Sequence, residues 1–392
     1  MWIIESILLI YFIYVVLYTA AFAFGGLLYK TPSVPATGRN LRFCVMMPSY
    51  KEDAVILDGA QKNLLQTYSK DHFDLVVIAD SLQPETIVAL RKLPIKVIEV
   101  SFESSTKVKS LNTALAQLPD HYDYAVILDA DNVMDADYLQ KMNGVLNHGY
   151  KAVQGQRKPK NLNNTLSFLD GVSEAINNHV YRQGSAALGL SASINGSGIA
   201  FDFKILKTKL TGMNSIGGFD RELELLLILD GIKVKYFKSA VVFDEKVSQT
   251  KAFQNQRKRW ISSQYFYLRK YFVEGMKALF KGDFVFFNSS VLRNIQLPRL
   301  INLGLLTVLT AVLFPLRQYL YFGYEIWAGL FVLNTISIFI SIPGEFYTKQ
   351  MLIAIASVPM LFVKMFLLLF KLKGANKKFI HTPHGVAGDT VK

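Results

Sequence analysis

Trp2 to Leu28 is an almost unbroken apolar run that carries a single charge, Glu5. It exceeds the ~20 residues a helix needs to cross the hydrocarbon of a bilayer. Part of this chain therefore belongs in lipid, in keeping with 51% hydrophobic residues over a length of 392, too apolar for an ordinary soluble domain. A cleaved signal peptide is the rival reading, because Ala21-Phe-Ala23 mimics a cleavage site. No Lys or Arg precedes the run, however, and hydrophobicity continues to Leu28, so residues 1–28 are read as an uncleaved transmembrane anchor.

Lys30, Arg39 and Arg42 follow the anchor, and the positive-inside rule then puts the amino terminus outside and the next domain in the cytoplasm. Three further apolar stretches, about Leu297 to Leu316, Phe322 to Ile342 and Gln350 to Phe370, predict a membrane bundle over 297–373. Three crossings would leave Lys371, Lys373, Lys377 and Lys378 outside, against the charge rule. The last stretch, with Pro359 and Lys364, is therefore a candidate for a re-entrant or interfacial segment, followed by a polar tail over 374–392. His381-Thr-Pro-His384 in that tail is too sparse for a metal site.

The net charge of +13 raises the question of nucleic acid. The densest basic run, Arg257 to Lys281, interleaves its charges with Tyr265, Phe266, Tyr267, Leu268, Tyr271 and Phe272 just before the bundle, which suits an anionic membrane surface better. Residues 265–296 are read as an interfacial amphipathic segment in contact with membrane lipids, and no nucleic-acid partner is expected. A solvated helix face with aromatic core contacts is the alternative. The only cysteine, Cys44, excludes an intramolecular disulfide and lies in Leu41-Arg-Phe-Cys-Val-Met-Met47 as a buried strand residue.

Pro32, Pro35 and Gly38 mark a linker over 29–40. Beyond it, apolar runs at Leu41 to Met47, Phe73 to Ala79, Ile95 to Val100 and Tyr124 to Leu128 alternate with helical stretches near Ala54 to Gln66, Pro84 to Leu93 and Lys107 to Leu118. Strands alternating with helices predict an α/β domain over 41–264 with a mostly parallel, Rossmann-like sheet. Ser49 to Asp53, Asp80, Asp129 and Asp131 each follow a strand, so all gather along the carboxyl edge, where open α/β sheets bind ligands. Asp129-Ala-Asp131 offers paired hard oxygens suited to a divalent cation carrying phosphates. No Gly-rich phosphate loop is present, which argues against an ATPase.

In this order the motifs resemble the processive members of glycosyltransferase family 2, the cellulose, chitin, hyaluronan and poly-N-acetylglucosamine synthases. The resemblance covers roughly residues 41–270. It rests on Pro48-Ser-Tyr-Lys-Glu52, Ala79-Asp80, Lys109-Ser-Leu-Asn112, Asp129-Ala-Asp131, Asn195-Gly-Ser-Gly198, Asp220 and Gln256 to Trp260. It implies a GT-A fold, an inverting single displacement on a nucleotide sugar, and a catalytic pocket resting against membrane helices.

A nucleotide-sugar diphosphate leaves readily only when its developing charge is neutralised by a divalent cation and by Arg or Lys. Asp131 is the first metal ligand, and Asp129 helps hold the ribose or the metal, with Mg2+ or Mn2+ as the cofactor. By resemblance Glu52, Asp80 and Lys109 position the uridine and its phosphates, Gln256 and Arg259 approach the pyrophosphate, and Trp260 stacks under the acceptor sugar. Glu52 on a solvated surface, Asp80 capping the helix at Pro84 and Lys109 on an exposed helix face are the structural alternatives. Gly196 and Gly198 let backbone approach a sugar closely.

The acceptor hydroxyl must lose its proton, and a carboxylate serves as general base. Family members commonly show an acidic pair before an amphipathic helix and a Gly-rich turn. Counting back from Gly231 makes Asp220 the base and puts Phe219 in the first acidic position, a departure that keeps Glu222, and after it Glu224, in reserve. An acidic helix start favoured by the helix dipole is the alternative.

The expected protein is thus a cytoplasm-facing inverting glycosyltransferase, suited to a bacterial inner membrane, that uses UDP-N-acetylglucosamine or UDP-glucose to extend a β-linked glycan. Four apolar spans are few for a private polymer channel, so export calls for a secretion partner or a homo-oligomer. A transferase adding one sugar to a membrane lipid, and a catalytically inactive membrane scaffold with the same fold, are the competing readings.

Overall fold

Phe43 to Pro48 of β1 (Phe43–Tyr50) are apolar on both faces, so the strand must be covered from both sides. The computed structural model, which describes residues 2–34, 38–215 and 217–372, provides that cover. Helix α1 (Trp2–Leu27) precedes β1. The chain then forms α2 (Asp53–Asn63), β2 (Phe73–Asp80), α3 (Pro84–Leu90), β3 (Lys96–Val100), α4 (Lys107–Gln117) and β4 (Tyr124–Ile127). Next come β5 (Val133–Met134), α5 (Tyr138–Leu146), β6 (Ala152–Pro159), α6 (Thr165–Asn177), α7 (Ser185–Ala187), β7 (Ile199–Asp202), α8 (Phe203–Thr211), α9 (Phe219–Leu229) and β8 (Lys235–Asp244).

The strands form one eight-stranded sheet in the order β3-β2-β1-β4-β7-β6-β8-β5. Pairs β3–β2, β2–β1, β1–β4 and β6–β8 are parallel, whereas β7 runs antiparallel to β4 and β6, and β5 antiparallel to β8. Phe43, Val45, Met47, Val77 and Val126 pack under α2 and α5 through Ile56, Leu139 and Met142. The alternate residues Cys44, Met46, Val76, Ile78 and Ile127 meet α4, α8 and α9 through Leu111, Leu206 and Leu223. Cys44 is buried as expected, and burial pushes its thiol pKa well above the ordinary value. Pro48 is tolerated in a central strand because pairing with β4 ends at Met46 opposite Ile127, before the missing N–H is needed.

Three sequence-expected helices end short of their forecast. The first stops at Asn63 rather than Gln66, because Asn63 and Gln66 turn their amides onto the segment after β4. Asn63 Nδ2 donates to the Asn132 carbonyl at 2.8 Å and Gln66 Nε2 to the Asp135 carbonyl at 2.9 Å.

After β8 come α10 (Thr250–Phe280), α11 (Phe284–Phe287), α12 (Arg293–Ile295), α13 (Arg299–Leu313), α14 (Tyr324–Ile340) and α15 (Lys349–Leu369), with π-helical turns at Asn178–Gly184 and Asn288–Leu292. The 31-residue α10 runs unbroken across the expected boundary between 264 and 265. Helix α1 packs on this region: Tyr18 Oη donates to Asn288 Oδ1 at 3.0 Å and Tyr11 Oη to Asn302 Oδ1 at 2.9 Å. Its lone charge is accounted for, since Glu5 accepts the backbone N–H of Tyr321 at 3.0 Å and of Phe322 at 3.2 Å.

Two helices among the described residues, α1 with 26 residues and α15 with 21, are long and apolar enough to cross a membrane. The last apolar stretch, a candidate for a re-entrant or interfacial segment, forms one continuous helix containing Pro359. At 1.5 Å per residue α13 reaches only ~22 Å and α14 ~26 Å, against ~30 Å of hydrocarbon. Helix α13 meets the Phe284–Ile295 segment at a 55° bend, and the two together form a third candidate span. Pro35, Lys373, Lys377, Lys378 and the polar tail 374–392 with His381 and His384 lie outside the described residues.

Candidate active site

A cavity of about 830 Å³ opens at the carboxyl ends of the strands and continues to the apolar helices. Glu52, Asp80, Asp129, Asp131, Gly196, Asp220, Gln256, Arg259 and Trp260 all line it, drawn together from across more than two hundred residues of chain. Its far wall is apolar, with Leu300 and Leu303 of α13, Ile338 of α14, Ile342 beyond it, and Ile355, Val358 and Leu361 of α15.

The turn after β4 presents Asp129 and Asp131. The Asp129 N–H donates to Asn132 Oδ1 at 3.2 Å, and Asp131 Oδ2 accepts the Glu245 N–H at 2.8 Å, which pins the turn to the end of β8. Gly59 of α2 lies against this turn so closely that a Cβ there would stand 2.7 Å from the Ala130 carbonyl oxygen. Lys107, in the first turn of α4, gathers three parts of the site: its Nζ donates to Asp129 Oδ1 at 2.5 Å and to the Gly196 carbonyl at 2.8 Å, and lies 5.2 Å from the Phe219 ring centre.

Glu52 and Asp80 are both buried. Asp80 accepts from Ser81 Oγ and Ser105 Oγ at 3.0 Å each and from Ser110 Oγ at 3.3 Å, so it is not the cap of α3; Gln83 holds that position. Lys109 is the one expected donor residue that the fold turns away. Its side chain is exposed, donates to the Ser104 carbonyl at 2.8 Å and lies over the Phe102 ring, and it does not line the cavity.

Asn195-Gly-Ser-Gly198 is held by a buried polar network. Gln154 Nε2 donates to the carbonyls of Ser197 at 3.0 Å and Gly198 at 2.9 Å, Asn195 Nδ2 to Glu174 Oε1 at 2.8 Å, and Arg157 Nη1 to the Asn195 carbonyl at 3.1 Å. Burial acts to raise the Glu174 carboxyl pKa, yet Arg157 and Arg182 hold it below the ordinary carboxylate range. Gly196 has φ +72°, a left-handed conformation that favours glycine, and it faces Asp220: a Cβ there would stand 3.7 Å from Asp220 Oδ2.

The three acidic residues of α9 have different surroundings. Asp220 lines the cavity and makes no ion pair among the described residues. Glu222 points toward α10, where it pairs with Lys270, accepts from Ser215, and is 3.3 Å from the hydroxyls of Tyr267 and Tyr271. Burial would raise its pKa, but Lys270, Ser215 and Tyr267 keep it below the ordinary value. Glu224 accepts from Arg293 Nη2 at 2.7 Å and from the Ile194 N–H at 3.0 Å.

On α10, Gln256 and Trp260 are one helical turn apart, and Gln256 Oε1 is buried with no partner among the described residues. Burial pushes the Arg259 guanidinium pKa down, while Asp129 and Asp220 pull it back up. Trp260 is not bare: the Arg257 guanidinium, paired with Asp170, lies 4.6 Å from its ring centre. Sequence reasoning passed over Lys107, Arg157 and Asp244, and read Glu174 to Gly184 only as a helix under an acceptor channel. Asp244, which pairs with Arg157 and Lys246, ends the apolar run Val241-Val-Phe-Asp244, the same strand-end signal that marked Asp129.

No group of three or more His, Cys, Asp and Glu side chains among the described residues forms a ready-made metal cage. The donor set instead suits a cation shared with a ligand. Asp129 and Asp131 place hard carboxylates on the cavity wall, and the remaining positions would fall to phosphate oxygens.

A mostly parallel mixed sheet with carboxylates at its strand ends, flanked by apolar helices, defines a GT-A-like glycosyltransferase domain. The chain belongs to glycosyltransferase family 2, since the model of the glycosyltransferase-like family 2 matches residues 41–263, more than half of its length. No curated protein matches it significantly. Among solved structures it is similar to the mannosyltransferase PcManGT from Pyrobaculum calidifontis in complex with GDP-mannose and Mn2+, at 18% identity and TM-score 0.49, over 84% of this chain and 98% of that one. It is also similar to residues 1–349 of S. aureus TarS with UDP-GlcNAc, at 15% identity and TM-score 0.40, over 53% of this chain and 60% of that one. Glucosyl-3-phosphoglycerate synthase from Mycobacterium tuberculosis, with Mn2+, UDP and phosphoglyceric acid, gives 14% identity and TM-score 0.41 over 59% and 84% of the two chains.

Proposed function

We propose that this glycosyltransferase moves a sugar, with inversion, from a UDP-sugar to an acceptor that reaches the site from the membrane helices. The observation that carries this reading is the continuity of one cavity from Asp129, Asp131 and Asp220 to Leu303, Ile342 and Ile355. A wall of that kind suits an aliphatic chain better than a hydrated glycan. The acceptor is therefore lipid-linked, and the donor is UDP-N-acetylglucosamine or UDP-glucose.

Glu52 and Asp80 would receive the nucleoside, and Lys107 in place of Lys109 would hold Asp129 in position. Asp131, with Asp129, would hold Mg2+ or Mn2+, whose contribution is to neutralise charge on the leaving diphosphate. Arg259 and Gln256 supply hydrogen bonds to the same group. Asp220 takes the proton from the acceptor hydroxyl as that oxygen bonds to the anomeric carbon, and the bond from that carbon to the diphosphate breaks, its electron pair leaving with UDP. Attack opposite the leaving group inverts the anomeric centre. The domain works at the cytoplasmic face of a membrane such as a bacterial inner membrane.

Extension of a β-linked glycan is the second reading, favoured by Gln256, Arg259 and Trp260 sharing one short stretch of α10 on the cavity wall. Such a product would call for a secretion partner or a homo-oligomer. Chelator-sensitive hydrolysis of UDP-sugar separates either enzyme from an inactive scaffold, and its absence defeats the transferase reading. Sizing the product made from radiolabelled UDP-sugar in native-like membranes then decides: a single added sugar that partitions with lipid supports the first reading, and a ladder of lengths supports the second.

A further inference from the structure

Arg299 opens α13 at the point where the polar part of the cavity gives way to the apolar part. Its Nη2 donates only to neutral acceptors, the Ser173 carbonyl at 3.1 Å, Ser173 Oγ at 3.4 Å and Asn177 Oδ1 at 3.2 Å. Its Nη1 is buried and has no acceptor among the described residues. Four other cavity arginines are neutralised, Arg157 by Asp244, Arg182 by Glu174, Arg257 by Asp170 and Arg293 by Glu224, while Arg221, on α9 rather than at the start of α13, donates to Asn294 Oδ1 at 2.6 Å. A guanidinium held away from water with no counter-ion is costly, and a bound anion removes that cost. Leu303, one helical turn along α13, lines the same cavity, followed by Ile342 and Ile355 on the neighbouring segments. The cation at the start of α13 and the apolar wall beyond it thus follow one another along the cavity.

Resting on the reading of a lipid-linked acceptor, we infer that the acceptor carries a phosphate between its sugar-accepting group and its aliphatic chain. Arg299 binds the phosphate, for which its planar fork of donors is suited. The chain lies along Leu303, Ile342 and Ile355.

The test uses the full chain in nanodiscs of phosphatidylcholine, with a long-chain alkyl phosphate, the matching alcohol and inorganic phosphate as probes. The expected result is alkyl phosphate bound at least tenfold more tightly than either of the other two. Arg299→Gln should remove the preference over the alcohol, and Arg299→Lys should restore part of it. Leu303→Trp, which fills the groove without touching the charge, should weaken a long-chain phosphate at least fivefold more than a short-chain one. This second variant keeps the test decisive if Arg299→Gln does not fold. Equal binding of phosphate and alcohol by the wild type, a preference that survives Arg299→Gln, or indifference of Leu303→Trp to chain length overturns the inference. Metal-dependent UDP-sugar hydrolysis is measured on the same wild-type preparation: its absence defeats the transferase reading, whereas hydrolysis without phosphate preference defeats the phosphate subsite alone.

Discussion

Lys107 and Asp129 are joined by an ion pair of 2.5 Å that ties the first turn of α4 to the end of β4, with the Gly196 carbonyl 2.8 Å from the same nitrogen. The pair fixes one oxygen of Asp129 on the cavity wall. Charge-assisted hydrogen bonds of this kind are worth about 1.5–3 kcal/mol. Lys107→Met should therefore lower kcat/KM for the UDP-sugar by roughly 10- to 100-fold. Lys109→Met, altering an exposed side chain, should stay within about twofold. The opposite ranking in steady-state kinetics would return the donor role to Lys109.

Asp131 presents its carboxylate to the cavity from a turn pinned by the Glu245 N–H. Asp131→Asn keeps that acceptor but removes the anionic charge, and should reduce transfer by roughly 100-fold or more at saturating Mg2+ or Mn2+. A melting temperature close to wild type checks that folding survives. Wild-type turnover in a folded variant would remove Asp131 from the metal site.

Asp220 and Glu222 are separated by their partners. Asp220→Asn should cut turnover by roughly 10²- to 10⁴-fold while UDP binding, followed by calorimetry, remains. Glu222→Gln should retain turnover and lose stability, because the ion pair with Lys270 holds α9 to α10. A dead Glu222→Gln with an active Asp220→Asn would shift the base to Glu222.

The same pair gives a pH signature. The Glu222 pKa lies below its ordinary value in the folded chain, so its contribution is fully present above the ordinary glutamate pKa and is lost as pH falls through the folded one. The difference in melting temperature between wild type and Glu222→Gln should be largest near about pH 7 and shrink toward about pH 3. A constant difference across that range would mean that the loss comes from packing rather than charge.

Trp260 lines the cavity and carries Arg257 on its ring at 4.6 Å. Trp260→Ala should reduce transfer to the acceptor by up to roughly tenfold, as expected for loss of an aromatic contact of about 0.5–1.5 kcal/mol, and donor hydrolysis less. Parallel assays of product and of free sugar check this. Equal loss in both would move Trp260 from the acceptor to the donor side.

The sequence alone determined the parallel half of the sheet and its carboxyl edge. Two-faced apolar strands such as Phe43–Tyr50 can be satisfied only by helices on both sides, and a carboxylate at a strand end must then lie along the edge. Asp80, Asp129 and Asp131 were legible for that reason, and the apolar length of α1 was legible because a bilayer imposes a length. Tertiary structure decided what depends on direction. Lys107 and Lys109 are two residues apart on one helix, about 200° of rotation, so one enters the cavity and the other faces solvent, and composition does not tell which. Asp220, Glu222 and Glu224 read as one acidic helix start, yet Lys270 and Arg293, distant in sequence, engage two of them. Arg299 lies inside the stretch Leu297 to Leu316, which reads as apolar. Its meaning comes from the carboxylate it does not meet, and whether a charge is paired is settled by the packing of α6 and α13, because pairing is a property of distance in space rather than of position along the chain.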